Sequence, residues 1–96
     1  MDKTIGLAYR ARKVVLGTEN TIEHLRKKKL FVIILANDAS PLTQKKIRDK
    51  AKTYETPVID DLSAFELSNA VGKNDIKVIG ITDQGFTRLL MDQKRK

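Results

Sequence analysis

The longest apolar run of the chain, residues 30–36, reads LFVIILA. Residues 30–35 are continuously apolar with no polar alternation, which is typical of a β-strand that is covered on both faces. The run is far too short to span a bilayer. Structure must therefore pack on both sides of this strand, and that requirement limits the possible folds more than any other feature of the sequence.

Helical and strand-like patterns alternate around this run. Short runs rich in β-branched residues predict three further strands, Val14–Leu16, Val58–Ile59 and Val78–Ile81. Apolar residues at helical spacing predict five helices, the first over residues 4–13. The residues expected to face the core from the helices are Ile5, Ala8, Tyr9, Ile22, Leu25, Ile47, Ala51, Tyr54, Phe86, Leu89 and Leu90. The alternation predicts one α/β domain over residues 1–96, folded as a three-layer α/β/α sandwich.

Local signals predict several helix ends. Ser40 followed by Pro41 is typical of an N-cap and the first helical residue. Ser63 and Glu66 fit the capping box, in which side chains and backbone of the first turn bond reciprocally. Gly72 suits the left-handed residue that ends a helix. Residues 94–96 add positive charge at the end of the last helix, where the helix dipole favours it.

The charge of the chain is concentrated in its first half. The 96 residues carry a formal net charge of +7. Residues 1–52 contain 13 Lys and Arg against 5 Asp and Glu, a net +8, whereas residues 53–96 contain 6 against 7, a net −1. Such an excess favours an anionic partner such as nucleic acid. The alternative is that these cations only solvate helix faces and pair along each helix.

Residues suited to catalysis or metal binding are sparse. Cysteine is absent, which excludes a disulfide framework, a thiol nucleophile and a cysteine-based zinc site. The one histidine, His24, has no orienting partner, so we expect it to be exposed or to face a nucleic acid rather than to act in catalysis. Asp60 and Asp61 could form a magnesium pocket, but such a pair before a Ser N-cap is more typical of a loop. We expect no enzymatic activity, cofactor, metal site or small-molecule substrate.

The first ten residues, MDKTIGLAYR, lack the apolar core of a signal peptide. We therefore expect a cytoplasmic protein that does not associate with membranes. We also expect a monomer.

Residues 17–20, which read GTEN, form a candidate binding tip. Thr18 is predicted to N-cap the second helix by accepting a hydrogen bond from the N–H group of Asn20 or Thr21. The first N–H groups of a helix have no partner within it. Asn20 can both donate to and accept from a base edge, and Glu19 can accept from base amino groups. The tip could therefore recognise bases.

Cations precede and follow this tip, with Arg12 and Lys13 before it and Lys27 beyond it. A simpler interpretation is that Glu19 and Glu23 only complement the helix dipole and that Glu23 pairs with Lys27. We favour the simpler interpretation for Glu23. For Asn20 we favour a binding role, because asparagine is a weak helix former at a position where nothing else requires it.

Four sequence blocks occur together in a distinctive order: RARKVVLG with its polar helix start, LFVIILANDASP, AFELSNAVGK and VIGITDQGF. In this order and spacing they resemble the kink-turn-binding ribosomal protein superfamily over nearly the whole chain. The RARKVV, NDAS and TDQGF blocks look closest to its bacterial YlxQ-type members. The resemblance implies an α/β/α sandwich with a mixed four-stranded sheet, in agreement with the pattern of helices and strands.

The resemblance also implies how the chain would bind RNA. The start of the second helix would enter the widened groove at an RNA kink, and residues 73–77 would pack on a flipped-out nucleotide. Asn37 matches a polar residue that supports the helix start. Together with the flanking cations, the candidate RNA-binding residues are Arg12, Lys13, Gly17, Thr18, Glu19, Asn20, Lys27, Asn37, Lys73, Asn74, Ile76 and Lys77.

We therefore expect a protein that binds structured, kink-turn-like RNA and is associated with the ribosome or translation. Many members of the superfamily carry Asn then Glu, or Lys then Gln, where this chain has Glu19 then Asn20. Many also have a lysine where it has Glu23. These acids suggest an alternative, a protein-interaction module on the same fold with weakened RNA affinity.

Overall fold

The computed structural model describes residues 1–94 and contains five helices alternating with four short strands. The elements in chain order are α1 (Asp2–Arg10), β1 (Val14–Leu16), α2 (Thr18–Arg26), β2 (Val32–Leu35), α3 (Pro41–Thr53), β3 (Val58–Ile59), α4 (Ala64–Val71), β4 (Val78–Ile81) and α5 (Gln84–Gln93). No helix within the described residues is both long and apolar enough to cross a membrane.

The four strands form one mixed sheet in the order β1-β4-β2-β3. Strand β4 is antiparallel to both of its neighbours, whereas β2 and β3 are parallel. Helix α2 packs against α3, and α1 packs against α4 and α5, so that helices form a layer on each side of the sheet. This arrangement confirms the predicted three-layer α/β/α sandwich.

Strand β2 is the centre of the core, since all four of its residues are fully buried. It is shorter than the predicted strand over residues 30–35. Leu30 is only half-buried and Phe31 is 44% exposed. The side chain of Leu30 instead covers Gly80, where an added Cβ atom would lie 2.8 Å from Leu30 Cδ1. Leu30 thus closes the core from the side instead of extending the strand.

Helix α1 begins at Asp2 and ends at Arg10, rather than spanning residues 4–13. The chain turns after Arg10, because Arg12 adopts a left-handed conformation with φ 62°. The N–H group of Lys13 bonds back to the carbonyl of Ala8. This turn places Arg12 and Lys13 directly before β1.

The predicted helix ends at Ser40, Ser63 and Gly72 are confirmed. Ser40 Oγ accepts from the N–H group of Thr43 at 3.2 Å. The capping box of Ser63 and Glu66 is complete, with both reciprocal hydrogen bonds present. Gly72 ends α4 in the left-handed region.

Most of the residues predicted to face the core from the helices are buried. Tyr9, Tyr54 and Phe86 are only partly buried against the core. The prediction for Leu89 was wrong, because its side chain is 50% exposed while the neighbouring Leu90 is fully buried. The remaining buried residues of this set are Ile5, Ala8, Ile22, Leu25, Ile47 and Ala51.

Candidate nucleic-acid interface

Three segments that are distant in sequence meet at one end of the sheet. The N–H group of Gly17, at the end of β1, donates to the carbonyl of Val78 at 2.9 Å. The N–H group of Ala36, at the end of β2, donates to the carbonyl of Lys77 at 2.8 Å. Strands β1 and β2 therefore end where β4 begins. We call this region, made of residues 17–20, 37–38 and 73–77, the tip end.

Helix α2 starts at the tip end without a side-chain cap. The prediction that Thr18 is its N-cap was wrong, since Gly17 takes that position and no side chain of residues 1–94 accepts a hydrogen bond there. Gly17 has φ 95° and ψ 159°, a backbone conformation that essentially only glycine adopts. Thr18 is instead the first helical residue. The first N–H groups of α2 are consequently left for solvent or a ligand.

The amide of Asn20 spans the junction between β1 and α2. Its Nδ2 donates to the carbonyl of Leu16 at 3.1 Å, and the side chain is exposed. Its Oδ1 accepts no hydrogen bond from residues 1–94. Asn20 is thus held in place by one atom and presents the other as an acceptor.

Glu19 is paired with a lysine that was not among the predicted binding residues. Lys46 Nζ, on α3, lies 2.6 Å from Glu19 Oε2. The hydrogen bond from Lys46 and its positive charge lower the pKa of Glu19, and the charge of Arg26 lowers that pKa further. The only sequence signal is the basic character of α3, since the pair becomes visible only when α2 packs on α3.

The segment after β2 is held by hydrogen bonds of Ala36 and Asp38, the residues on either side of Asn37, and not by the side chain of Asn37. Gln44 Nε2 donates to the carbonyl of Ala36 at 3.1 Å, and Asp38 Oδ1 accepts from the N–H group of Ala64 at 2.8 Å. The side chain of Asn37 is exposed and makes no hydrogen bond to α2 within the described residues. Gln44 and Asp38 therefore support the tip end, and sequence reasoning missed both.

The loop of residues 73–77 is anchored at both of its ends and at Ile76. The N–H group of Lys73 donates to the carbonyl of Ser68 at 3.0 Å, and the carbonyl of Lys77 accepts from the N–H group of Ala36. The buried Ser68 accepts a hydrogen bond on Oγ from the N–H group of Ile76 at 2.9 Å. Lys77 forms an ion pair with Asp75, whereas Lys73 and Asn74 are exposed. The loop is thus fixed at both ends and presents the side chains of Lys73 and Asn74 to solvent.

Three of the predicted binding residues lie at the opposite end of the sheet. The carbonyl of Lys13 accepts from the N–H group of Thr82, just beyond the end of β4. Lys27 follows the last residue of α2, and its Nζ lies 3.5 Å from Glu23. The nine residues of α2 span about 14 Å, so Lys27 is a full helix length from Gly17. Arg12, Lys13 and Lys27 therefore do not surround the tip end.

The residues considered for catalysis or metal binding are engaged in other contacts. His24 is half-buried, with Nδ1 2.9 Å from the carbonyl oxygen of Asn20. Asp60 forms an ion pair with Arg48 at 2.7 Å. Asp61 lies 3.8 Å from Lys94, whereas the basic residues Arg95 and Lys96 lie outside the described part of the chain.

The sequence pattern of the Ribosomal protein L7Ae/L30e/S12e/Gadd45 family matches residues 1–91. The chain belongs to this family. The match confirms the resemblance that the four sequence blocks indicated.

Relatives in the L7Ae/L30e/S12e/Gadd45 family include two bacterial proteins named RNA-binding protein YlxQ. The Enterococcus faecium protein is 44% identical over 84 residues, covering 88% of this chain and 81% of the relative. The Bacillus subtilis protein is 39% identical over 87 residues, covering 91% and 87%. The Large ribosomal subunit protein eL30 of Sulfurisphaera tokodaii is 34% identical over 87 residues, covering 88% and 82%.

Solved structures of similar proteins agree with the family assignment. A protein from Bacillus halodurans, described as having unknown function, superposes with a TM-score of 0.90 at 35% identity, covering 95% of this chain and 92% of its own. The Giardia lamblia 15.5kD RNA binding protein superposes with a TM-score of 0.80 at 14% identity, covering 95% and 78%. The second likeness concerns the fold alone.

Proposed function

We propose that this chain is a non-enzymatic, monomeric RNA-binding protein that recognises a kinked, structured RNA of the ribosome or the translation machinery. The observation that carries the proposal is the contact between Gly17 and Val78, which brings the start of α2 beside the loop of residues 73–77. Structured RNA is read largely by shape and at unstacked bases of loops and bulges. Two adjacent polar segments on one end of a rigid sheet suit such a target.

The chemistry of the tip end supports base recognition. The uncapped start of α2 offers backbone N–H groups, and the positive end of the helix dipole favours phosphate. Asn20 Oδ1 can accept from a base amino group, while its Nδ2 holds the side chain to Leu16. Lys73 adds a positive charge with no carboxylate within 4 Å among residues 1–94.

The acids that suggested a protein-interaction module are both ion-paired. Glu19 is paired with Lys46, and Glu23 lies between Arg26 at 4.0 Å and Lys27 at 3.5 Å. Their negative charge is therefore partly offset before any RNA approaches. The names of the two YlxQ relatives also favour RNA binding over the alternative.

The test is a titration of the Asn20→Ala variant against a kink-turn RNA and against the same RNA with its G·A pairs changed to Watson–Crick pairs. A base contact of this kind is worth roughly 1–3 kcal/mol of discrimination. We expect affinity for the kinked RNA to fall about ten- to a hundredfold, with little change for the regular duplex. Equal weakening of both RNAs, or of neither, would contradict base reading by Asn20.

Two further variants separate phosphate contacts from base contacts. Glu23→Lys adds positive charge to α2 and should tighten binding to both RNAs. Lys73→Ala combined with Lys77→Ala should weaken both, because phosphate contacts carry little sequence information. Absence of binding by the unmodified protein below about ten micromolar at modest salt, where even non-specific contacts are detectable, would favour the protein-interaction module.

A further inference from the structure

Lys73 and Lys77 lie in the tip end and Lys46 lies beside it, and two of these three lysines are paired with carboxylates. Lys46 is paired with Glu19, and Lys77 is paired with Asp75. Asp38 adds an exposed carboxylate whose Oδ1 accepts from a backbone N–H group. The region that the proposed function assigns to base recognition therefore carries little net positive charge, although the chain as a whole has a formal net charge of +7.

Further cations lie at the other end of the sheet. No carboxylate within residues 1–94 lies within 4 Å of the charged groups of six of them. These six are Arg12, Lys13, Lys28, Lys29, Lys50 and Lys52. Arg26 and Lys27 lie beside them in sequence and share the single carboxylate of Glu23. We call these eight residues the basic end.

Backbone contacts bring the segments of the basic end together. The N–H group of Thr82 donates to the carbonyl of Lys13, and the N–H group of Phe31 donates to the carbonyl of Ile81. The segment before β1 and the segment before β2 thus lie on either side of the end of β4.

The last turn of α3 joins the same surface. A cavity of about 420 Å³ is lined by Lys28 and Leu30 from one side and by residues 53–56 from the other. Residues 50 and 52 lie in the last turn of α3, directly before this lining. The other carboxylates at this end of the described residues are Glu55, which lines the cavity, Asp83, which accepts from the N–H group of Phe86, and Asp49, which pairs with Lys45. With Glu23 included, eight cations share this end with four acids.

We propose that the basic end is a second RNA-contacting surface, which binds the phosphate backbone of a segment separate from the one at the tip end. This inference rests on RNA being the ligand in the proposed function. Lysine and arginine side chains without carboxylate partners suit phosphates, because each contact releases a condensed counterion and needs no particular base. The protein would then hold one folded RNA at two places, reading bases at the tip end and gaining affinity at the basic end.

The test compares two kinked RNAs, one with stems of a few base pairs and one with stems extended to about 16 base pairs. The variant combines Lys13→Gln with Lys29→Gln, since neither residue has a left-handed backbone, unlike Arg12 and Lys28. The matched control combines Lys3→Gln with Arg88→Gln, which removes the same charge from exposed positions on α1 and α5. Thermal unfolding of each variant checks that the fold is retained.

We expect the unmodified protein to bind the long RNA more tightly than the short one. The Lys13/Lys29 variant should lose about tenfold or more in affinity for the long RNA near 0.1 M salt, and its log–log salt slope should shrink by about 1.4–1.8. Its affinity for the short RNA and the behaviour of the control should barely change. If the variant and the control lose the same affinity for the long RNA, the proposal is wrong. It is also wrong if polyglutamate displaces the long RNA from the protein as effectively as an unlabelled RNA of equal charge does.

The outcomes also separate this inference from the proposed function. If the short RNA binds with a preference for the kink but the long RNA binds no more tightly, the basic end is not an RNA surface and the tip-end function stands. If kinked and Watson–Crick short RNAs bind equally while the long RNA still depends on Lys13 and Lys29, the basic end is supported and base reading at the tip end fails.

Discussion

The ammonium group of Lys46 lies 2.6 Å from the carboxylate of Glu19 and joins α3 to the first turn of α2. Both side chains remain largely accessible, with 46% and 79% of their surface exposed. The contact reduces the repulsion that Glu19 would exert on an approaching phosphate. It also engages Lys46, a lysine of α3 that reaches the start of α2. This pair therefore offsets the charge of one of the acids of the tip end.

Replacing Glu19 with glutamine should release Lys46 for an RNA phosphate. We expect Glu19→Gln to bind kinked RNA more tightly and to make the log–log salt slope more negative by about 0.7–0.9, the effect of one additional phosphate contact. The measurement is a fluorescence titration of both proteins at four or more salt concentrations.

A matched control exists on the same helix, where Lys45 pairs with Asp49 at 2.8 Å. Asp49→Asn releases a lysine in the same way, but the pair it breaks lies within α3 rather than between α3 and α2. If Asp49→Asn changes affinity and slope as much as Glu19→Gln does, the position of Lys46 has no special importance.

The same pair predicts a pH dependence of folding. The hydrogen bond and positive charge of Lys46 lower the pKa of Glu19 below its ordinary value. A carboxylate with a lowered folded-state pKa stabilises the protein above its unfolded-state pKa of about 4.3. That contribution is lost as the pH falls through the lower folded-state pKa. We expect a small difference in free energy of unfolding between the unmodified protein and Glu19→Gln at neutral pH, and its disappearance in acid. Urea unfolding at successive pH values measures it, and a difference that persists at the acid limit would contradict the assignment.

Gly17 should be sensitive to substitution through its backbone alone. An added Cβ atom would meet no atom of the described residues within 4 Å, yet φ 95° with ψ 159° is a conformation that other residues rarely adopt. We expect Gly17→Ala to lower the free energy of unfolding by about 1–3 kcal/mol. Urea unfolding with an unchanged m-value measures the loss.

Gly72 provides the contrasting case. It ends α4 with φ 68° and ψ 31°, a left-handed conformation that asparagine also adopts readily. Gly72→Asn should therefore cost less than about 1 kcal/mol. If the two substitutions cost the same, the special conformation of Gly17 is not what fixes the start of α2.

Local signals in the sequence predicted the fold better than they predicted the site. The capping box of Ser63 and Glu66 needs only residues three positions apart, so the sequence contains all the necessary information. The N-cap at Thr18 was wrong because Gly17 is held by Val78, a residue of a strand much later in the chain. Such a contact depends on strand pairing, which no local pattern specifies.

The prediction that Arg12, Lys13 and Lys27 lie around residues 17–20 was also wrong because it was made from local sequence. Lys13 and Gly17 are close in sequence, but β1 lies between them and separates them to opposite ends of the sheet. Lys46 was missed because its partner Glu19 stands 27 residues earlier and meets it only after two helices pack. The residues that the family resemblance assigned to the tip end do lie close together in the structure. Arg12, Lys13 and Lys27 were added to them only because they are near in sequence.

Ser68 fixes the loop of residues 73–77 to α4. Its Oγ accepts from the N–H group of Ile76 at 2.9 Å, and the residue is only 8% exposed. Ser68→Ala would leave that N–H group without its acceptor in a partly buried position. Because an unsatisfied buried donor costs about 1–3 kcal/mol, we expect a loss of stability in that range. The loop that carries Lys73 and Asn74 should also become more mobile.

Amide hydrogen exchange distinguishes a local effect from a global one. In Ser68→Ala, exchange at Ile76 should accelerate more than exchange at the β2 residues Ile33 and Ile34, whose exchange reports global unfolding. Affinity for kinked RNA should fall together with the protection of Ile76, since a mobile loop must be ordered on binding. Asn69→Ala, an exposed change on the same helix, should leave exchange and affinity unaltered. Unchanged protection at Ile76 in Ser68→Ala would mean that the loop is held by contacts other than this hydrogen bond.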